Sequence, residues 1–187
     1  MKNKLFISLV LLSFQSFAAD TFNLVTEFSS LSFATIKKQY VVEPATISGL
    51  TGSVDSSGQF AVIVPVANID TDVAIRNERL NSLFFNSSAN PVMMISGKFD
   101  LASLTQPISK VLVPANVSFY DTNKTFNFPV IITKTDHAIT VHSYAPVIVK
   151  ASDFGIPAAN LTKLAATVDG LALSDAVPVN INLVFNK

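Results

Sequence analysis

The chain has 187 residues and no net formal charge, because 13 lysines and arginines balance 13 aspartates and glutamates. Only 14% of the residues are charged, whereas 49% are hydrophobic and 15 are phenylalanine. This charge balance excludes the basic stripe on which nucleic-acid binding depends. The absence of cysteine excludes disulfides, thiolate metal sites and thiol nucleophiles. We therefore expect one strongly apolar globular domain that is held together by side-chain packing.

The N-terminus has the pattern of a cleavable secretory signal. Lys2 and Lys4 precede an apolar stretch, residues 5–14, that is too short to cross a bilayer. Small residues at Ser16 and Ala18 favour cleavage after Ala18. We expect residues 1–18 to be a signal peptide and residues 19–187 to form the mature domain, which would be periplasmic.

Hydrophobic and polar residues alternate over most of the remaining chain, as in strands that turn one face to a core. The clearest row runs from Val179 to Phe185, where every second residue is apolar. Further strands are expected in residues 22–28, 31–42, 46–54, 60–66, 111–119, 126–132 and 139–149. The strand at 60–66 also carries Ala61 and Ile63 on its other face, so we expect a helix or a homodimer partner to cover both faces.

Turn residues and prolines divide these strands. The turns at residues 55–58, 121–123 and 135–137 indicate an antiparallel meander. Proline cannot donate a hydrogen bond to a strand ladder, so a proline inside a strand predicts an edge, a bulge or a break. Four prolines fall inside predicted strands: Pro65, Pro114, Pro129 and Pro146.

Two segments have helical spacing instead. Residues 70–85 predict a helix with Asp70 or Thr71 as its N-cap. Residues 157–168 predict a shorter helix that begins near Pro157 and ends before residues 169–170. The expected fold class is therefore all-β, with one or two short helices.

Residue patterns for catalysis, metals or cofactors are not found. His137 and His142 are five residues apart, which places them on opposite faces of one strand and prevents them from sharing a metal ion. Asp70 and Asp72 are better explained by helix capping than by acid–base chemistry. We expect no enzyme activity, no metal and no cofactor. The charged cluster at residues 76–79 either faces an anionic group or is a solvated helix face.

Residues 70–97 resemble the YceI-like lipid/polyisoprenoid-binding family. In that family a helix with Asp or Thr near its start is followed by an Arg, a basic residue with Leu, an aromatic pair and a proline that opens a strand. The matching positions here are Thr71-Asp72, Arg76, Arg79-Leu80, Phe84-Phe85 and Pro91. A second match is residues 153–156, Asp-Phe-Gly-Ile, and residues 49–60 fit the early strands. Ala151 departs from the family, where many relatives have Arg, and so does the hairpin at 118–124.

The resemblance implies a lipocalin-like antiparallel β-barrel of about eight strands around an apolar cavity. It also implies a protein that sequesters or carries one long-chain amphiphilic lipid, isoprenoid or quinone-like, in exchange with an inner-membrane partner. The residues that we expect to hold the lipid head are Arg76, Asn77 and Asp153. Those expected along its chain are Leu80, Phe84, Phe85, Met94, Phe126 and Phe128. The alternatives are an extracytoplasmic β-sandwich with a structural or adhesive role and no ligand, and a lipid hydrolase or isomerase.

Overall fold

Twelve strand segments form one antiparallel sheet within residues 20–187, which are the residues that the computed structural model describes. The predicted signal peptide, residues 1–18, lies outside the described residues. In chain order the strands are β1 (Thr21–Leu24), β2 (Ser30–Lys37), β3 (Val41–Ile47), β4 (Thr51–Asp55), β5 (Gln59–Pro65), β6 (Ile69–Asp70), β7 (Val92–Lys98), β8 (Ile108–Phe119), β9 (Thr122–Lys134), β10 (Ala138–Ser143), β11 (Val147–Lys150) and β12 (Ala176–Asn186).

The sheet closes into a barrel because β12, the last strand, pairs with β1, the first. The wall has eight strand positions, and each position pairs with the next one along the chain. Four of the eight wall positions hold two segments in tandem, namely β1 with β2, β3 with β4, β5 with β6, and β10 with β11. The expected lipocalin-like antiparallel barrel of about eight strands is confirmed.

Each of the four prolines lies where pairing with at least one neighbouring strand ends, although Pro114 and Pro129 remain inside the β8–β9 ladder. Pro65 is the last residue of β5, and Pro146 lies in the break between β10 and β11. Pro114 lies one residue outside the β7–β8 ladder, which ends at Ala115. Pro129 lies one residue outside the β9–β10 ladder, which ends at Val130. Each proline therefore lies at an end or a break of pairing, where a missing N–H is tolerated, as its position in the sequence predicts.

The single strand expected over residues 31–42 is wrong. Lys38 and Gln39 have positive φ angles of 49° and 66°, and they form the turn of a hairpin between β2 and β3. Gly49, at φ 76°, likewise divides the strand expected over residues 46–54 into β3 and β4. Lysine and glutamine rarely take positive φ angles, so the first of these turns has no signal in the sequence.

The outer face of β5 is exposed within the single chain, so no helix of residues 20–187 covers it, and covering by a homodimer partner stays a prediction. Ile63 is 40% exposed, and Ala61 is also exposed, whereas Val62 and Val64 are fully buried. Alternation along β5 therefore follows the usual rule for a barrel wall, with one face inside and one outside. On this outer face Ile63 lies beside two further exposed apolar residues of β7, Val92 and Met94.

The two predicted helices are present, and both are short. Helix α1 (Ala74–Arg79) continues as a π-helical turn (Leu80–Phe85), and α2 spans Ala158–Ala166. The expected N-cap at Asp70 or Thr71 is wrong, because β6 extends to Asp70 and pairs it with Thr46. Asp72 then takes a φ angle of 60°, and α1 begins only after this turn.

Inward-facing rows of the strands form the core. Phe126, Phe128 and Phe185 are buried to 9%, 5% and 3% exposure, as their alternation predicts. At one end of the barrel the core is nearly solid around Leu50, Ile132 and Ile139. At the other end α1, the π-helical turn and α2 cover a larger internal space.

Candidate functional site

The site is a cavity of about 310 Å³ between the barrel and the helices. Strands β2, β7, β8, β9, β11 and β12 form its wall, and α1, the π-helical turn and α2 close it. Val73 and Ile75 line the cavity and are 38% and 50% exposed, so the opening lies at the start of α1. A volume of this size is at the lower end of the range of ligand pockets, about 300–1,000 Å³.

Aromatic rings form a continuous track along the cavity. Neighbouring ring centroids along this track are 4.9 to 6.5 Å apart, mostly in edge-to-face or tilted contacts. All the rings line the cavity, in the order Phe84, Phe85, Phe119, Phe154, Phe126 and Phe128. An apolar chain inside this cavity would lie against aromatic side chains over most of its length.

Two polar side chains form hydrogen bonds with the π-helical turn that covers the cavity. The Tyr120 hydroxyl donates to the Phe85 carbonyl at 2.8 Å, and Asn160 Nδ2 of α2 donates to the Phe84 carbonyl at 2.9 Å. Burial raises the pKa of Tyr120 above its ordinary value, although the hydrogen bond with Asn160 acts in the opposite direction. The phenol therefore stays protonated and able to donate at neutral pH.

Arg76 lies on the cavity wall beside the opening, but its charge is already compensated. Its guanidinium is 2.6 Å from Glu43 of β3, and Lys37 is 2.5 Å from the other oxygen of the same carboxylate. Arg76 and Glu43 side chains are only 24% and 19% exposed. The guanidinium also donates to the Thr71 carbonyl. Arg76 thus joins α1 to the β2–β3 hairpin.

Arg79, one turn further along α1, also lines the cavity and has much weaker contacts. Within residues 20–187 its guanidinium donates one hydrogen bond, to the Thr167 carbonyl, over a long distance of 3.4 Å. In the same part of the chain no carboxylate lies within ion-pair distance of it. Arg79 belongs to the charged cluster at residues 76–79 but was not among the predicted head-group residues. The different positions of the two arginines follow from contacts with residues distant in sequence, Glu43 for Arg76 and Thr167 for Arg79.

Six of the nine predicted ligand residues line the cavity: Arg76, Leu80, Phe84, Phe85, Phe126 and Phe128. Asn77 does not, because its amide oxygen accepts from the Thr71 N–H at 2.9 Å and its Nδ2 donates to Asp70. Asn77 therefore holds the turn before α1. The contact of all nine residues with a ligand stays a prediction.

Asp153 also lies outside the cavity lining. Its carboxylate accepts from Lys124 Nζ and from the Lys150 N–H. Burial alone would raise the pKa of Asp153, but these hydrogen bonds outweigh burial and lower the pKa overall. The carboxylate fixes the short turn that places the Phe154 ring on the aromatic track.

Met94 is outside the barrel, contrary to the expectation that it begins the apolar tunnel. It is 48% exposed, whereas its neighbour Met93 lines the cavity. Consecutive residues of a strand face opposite sides, so only one of the two methionines can point inward. The sequence offers Met93 and Met94 as equal candidates, and the phase of β7 decides between them.

A second cavity of about 50 Å³ lies deeper in the barrel and is lined by apolar residues of the core. Leu31, Ile95 and Phe128 line both cavities. These three side chains, each less than 9% exposed, form the partition between the two spaces.

Within the described part of the chain no group of three or more His, Cys, Asp or Glu side chains is placed to hold a metal ion. Across residues 20–187 no helix combines the length and the apolar character that a bilayer-spanning helix requires.

A model of the YceI-like domain family matches residues 21–185, which is nearly all of the described chain. The chain belongs to this family. The resemblance seen in residues 70–97 and 153–156 is thereby confirmed. No curated protein matches the sequence significantly.

Solved structures of this YceI-like fold include distant relatives. A polyisoprenoid-binding domain from Saccharophagus degradans, implicated in plant cell wall breakdown, aligns with a TM-score of 0.81 and 22% identity, covering 88% of this chain and 97% of that one. BcnA from Burkholderia cenocepacia aligns with a TM-score of 0.63 and 15% identity, covering 86% of this chain and 98% of that one. At these identities the likeness establishes the fold. The sandwich alternative is wrong, because β12 pairs with β1 and closes the sheet into a barrel.

Proposed function

We propose that this YceI-like protein binds one long-chain amphiphilic lipid, isoprenoid or quinone-like, and carries or sequesters it in the periplasm without chemical conversion. The observation that carries the proposal is an apolar cavity with an aromatic track inside and charged side chains at its opening. The polyisoprenoid-binding relative from Saccharophagus degradans supports the isoprenoid class. The signal-like sequence of residues 1–18 supports export.

Burial of the lipid chain would supply the binding free energy. Each methylene removed from water contributes about 0.8 kcal/mol. The track from Phe84 to Phe128 is apolar throughout, so it would retain a chain but could not orient it. Orientation would come from the polar groups at the opening, where Lys37, Arg76 and Arg79 lie.

Solvent extraction of the purified protein followed by mass spectrometry tests the proposal. We expect close to one isoprenoid or quinone-like lipid per chain. A matched pair of variants locates the lipid. Met93→Trp would fill the cavity and exclude it, whereas Met94→Trp would add the same ring to the outer face and leave the lipid bound.

Lipid retained equally by both variants would place it on the outer surface and contradict the cavity assignment. If neither the wild-type protein nor the Met94→Trp variant carries or takes up a lipid, the binding function itself is wrong.

The proposed location has a separate test. Fractionation of the producing cells should recover the protein with the periplasmic contents, and its N-terminal sequence should begin at Ala19. Recovery in the cytoplasm with Met1 intact would contradict export while leaving the binding proposal unaffected.

A further inference from the structure

The charges around the cavity do not balance. Four cationic residues line it: Lys37, Arg76, Arg79 and Lys150, whose exposed side chain also interacts with the Asp153 carboxylate. Glu43 neutralises the Lys37 and Arg76 pair only in part, because one carboxylate serves both. Asp175 is the acidic residue of the lining, and within residues 20–187 it forms no ion pair with Arg79 or Lys150. The opening therefore carries excess positive charge.

Arg79 is the cationic residue best placed to bind an anionic group of a ligand. Its side chain is partly buried between α1 and the end of α2, where an uncompensated charge is costly. A guanidinium has five N–H donors in a planar fork, and Arg79 uses one of them, in a long contact with the Thr167 carbonyl. The remaining donors suit the two oxygens of a carboxylate or phosphate, which guanidinium groups bind in pairs.

The polar residues around Arg79 belong to one end of the cavity. Lys37 of β2 forms an isolated bridge with Leu173, and Lys150 of β11 pairs with Ala176, so both lie beside the segment that follows α2. The aromatic track starts at Phe84, a short distance along the chain from Arg79. An anionic head at Arg79 would thus be continuous with an apolar chain lying on the track.

We infer that the ligand is a single-chain amphiphile with an anionic head, a carboxylate or a phosphate, and that Arg79 binds this head with Lys150 nearby. The inference rests on the proposed lipid-binding function and narrows it, since it favours acids and phosphates over neutral quinones. Arg76 is then a positioning residue that joins α1 to Glu43.

Calorimetric titration with three probes of equal chain length tests the inference. The probes are dodecanoate, dodecyl phosphate and dodecanol, each used below its micellar concentration at neutral pH. A charge-assisted hydrogen-bonded pair should make the wild-type protein bind one or both anionic probes at least about tenfold more tightly than dodecanol. The anion that binds more tightly identifies the head group as carboxylate or phosphate.

Variants of Arg79 locate the contact. Arg79→Gln should reduce the affinity for the preferred anion about tenfold or more and leave that for dodecanol unchanged. Arg79→Lys should keep most of the preference. Lys163→Gln removes an equal charge from an exposed position of α2 outside the cavity lining, and it should have no effect.

Each result decides something different. Equal affinity of the wild-type protein for the anions and for dodecanol would overturn the anionic inference and leave lipid binding intact. A preference that survives Arg79→Gln would exclude Arg79 as the contact. Failure of all three probes to bind would instead count against the proposed function. The wild-type comparison needs no variant, so it remains decisive if Arg79→Gln does not fold.

Discussion

Glu43 compensates the charge of Arg76 in α1, whereas Arg79 has no ion pair among residues 20–187. The Glu43 carboxylate contacts Arg76 and Lys37 at 2.6 and 2.5 Å, and all three side chains are at least three-quarters buried. Removing one member of such a buried ion-pair group is strongly destabilising, because the charge that remains is still desolvated but has lost its partner. Arg76 therefore stabilises the contact between α1 and the β2–β3 hairpin, and Arg79 is left with its long contact to Thr167.

Glu43→Gln should lower the free energy of unfolding by about 1–2 kcal/mol, because Arg76 and Lys37 both lose their carboxylate. Urea denaturation measures the loss. In a double-mutant cycle with Arg76→Gln, we expect a coupling energy of about 1 kcal/mol that decreases in high salt. A coupling energy of zero would show that the pair adds nothing to stability, as for many surface pairs.

Tyr120 links the β8–β9 turn to the π-helical turn above the cavity. Its hydroxyl donates to the Phe85 carbonyl, and its backbone φ angle of 47° is unusual for an aromatic residue. Phe119 pairs with Thr122, so Tyr120 and Asp121 form a two-residue hairpin turn with two positive φ angles. The sequence predicts this turn one residue too late, because asparagine and aspartate are the usual signals.

Tyr120→Phe should cost about 1 kcal/mol at neutral pH, because the Phe85 carbonyl loses its donor. Burial raises the pKa of Tyr120 in the folded protein above its ordinary value of 10.0. Above about pH 10 the unfolded chain loses this proton first, so wild-type stability falls as pH rises. The phenylalanine variant lacks this titration. The stability difference between the two proteins, measured by urea denaturation, should therefore shrink above about pH 10, and a constant difference would contradict the assignment.

At the scale of elements, the strands and the interruptions at prolines follow from the sequence, whereas the turns at Lys38 and Asp72 do not. Alternation in residues 179–185 and 126–132 identifies the inward faces of β12 and β9 correctly. The capping signal predicts a start of α1 that is too early, because the pairing of Asp70 with Thr46 in a neighbouring strand overrides it. Alternation of apolar and polar residues identifies which face of a strand points inward. It cannot decide between Met93 and Met94, because these consecutive residues are both apolar.

The candidate site shows the same division. Four of the six rings of the track are among the predicted ligand residues, whereas Phe119 and Phe154 are not. The roles of the polar residues could not be predicted, because that of Arg76 depends on Glu43. That contact joins residues 33 positions apart and has no local signature.

The π-helical turn and α2 act together as a cover of the cavity. Asn160 of α2 donates to the Phe84 carbonyl and contacts the Tyr120 hydroxyl at 3.4 Å. Both contacts lie at the edge of the cavity, where local opening would admit a lipid. A few hydrogen bonds, each contributing about 1 kcal/mol, would therefore set how often the cover opens.

Asn160→Ala should accelerate hydrogen exchange of the amides of residues 80–85 about fivefold, since it removes a bond of about 1 kcal/mol from the closed state. Thr162→Ala is the matched control, because Thr162 is exposed and its hydroxyl bonds only within α2. Equal exchange in both variants would show that Asn160 does not restrain the cover.

At the scale of the whole molecule, the barrel contains two spaces in series, and their partition sets the depth that a ligand can reach. Leu31, Ile95 and Phe128 separate the cavity of about 310 Å³ from the deeper one of about 50 Å³. Phe128 is the largest of the three and is the last ring of the aromatic track. A chain lying on the track would end against this ring.

Phe128→Ala should join the two cavities and shift the preferred ligand to longer chains. The substitution should cost about 3–5 kcal/mol of stability, as for other buried phenylalanines, and a bound lipid would offset part of that loss. Each methylene that enters the new space should increase affinity about fourfold, from about 0.8 kcal/mol of burial. Phe126→Ala is the matched control, because Phe126 lines the outer cavity only. Titration with a series of fatty acids should move the optimum chain length by several carbons in Phe128→Ala and leave it unchanged in Phe126→Ala. An unchanged optimum in both variants would mean that the partition does not limit the chain.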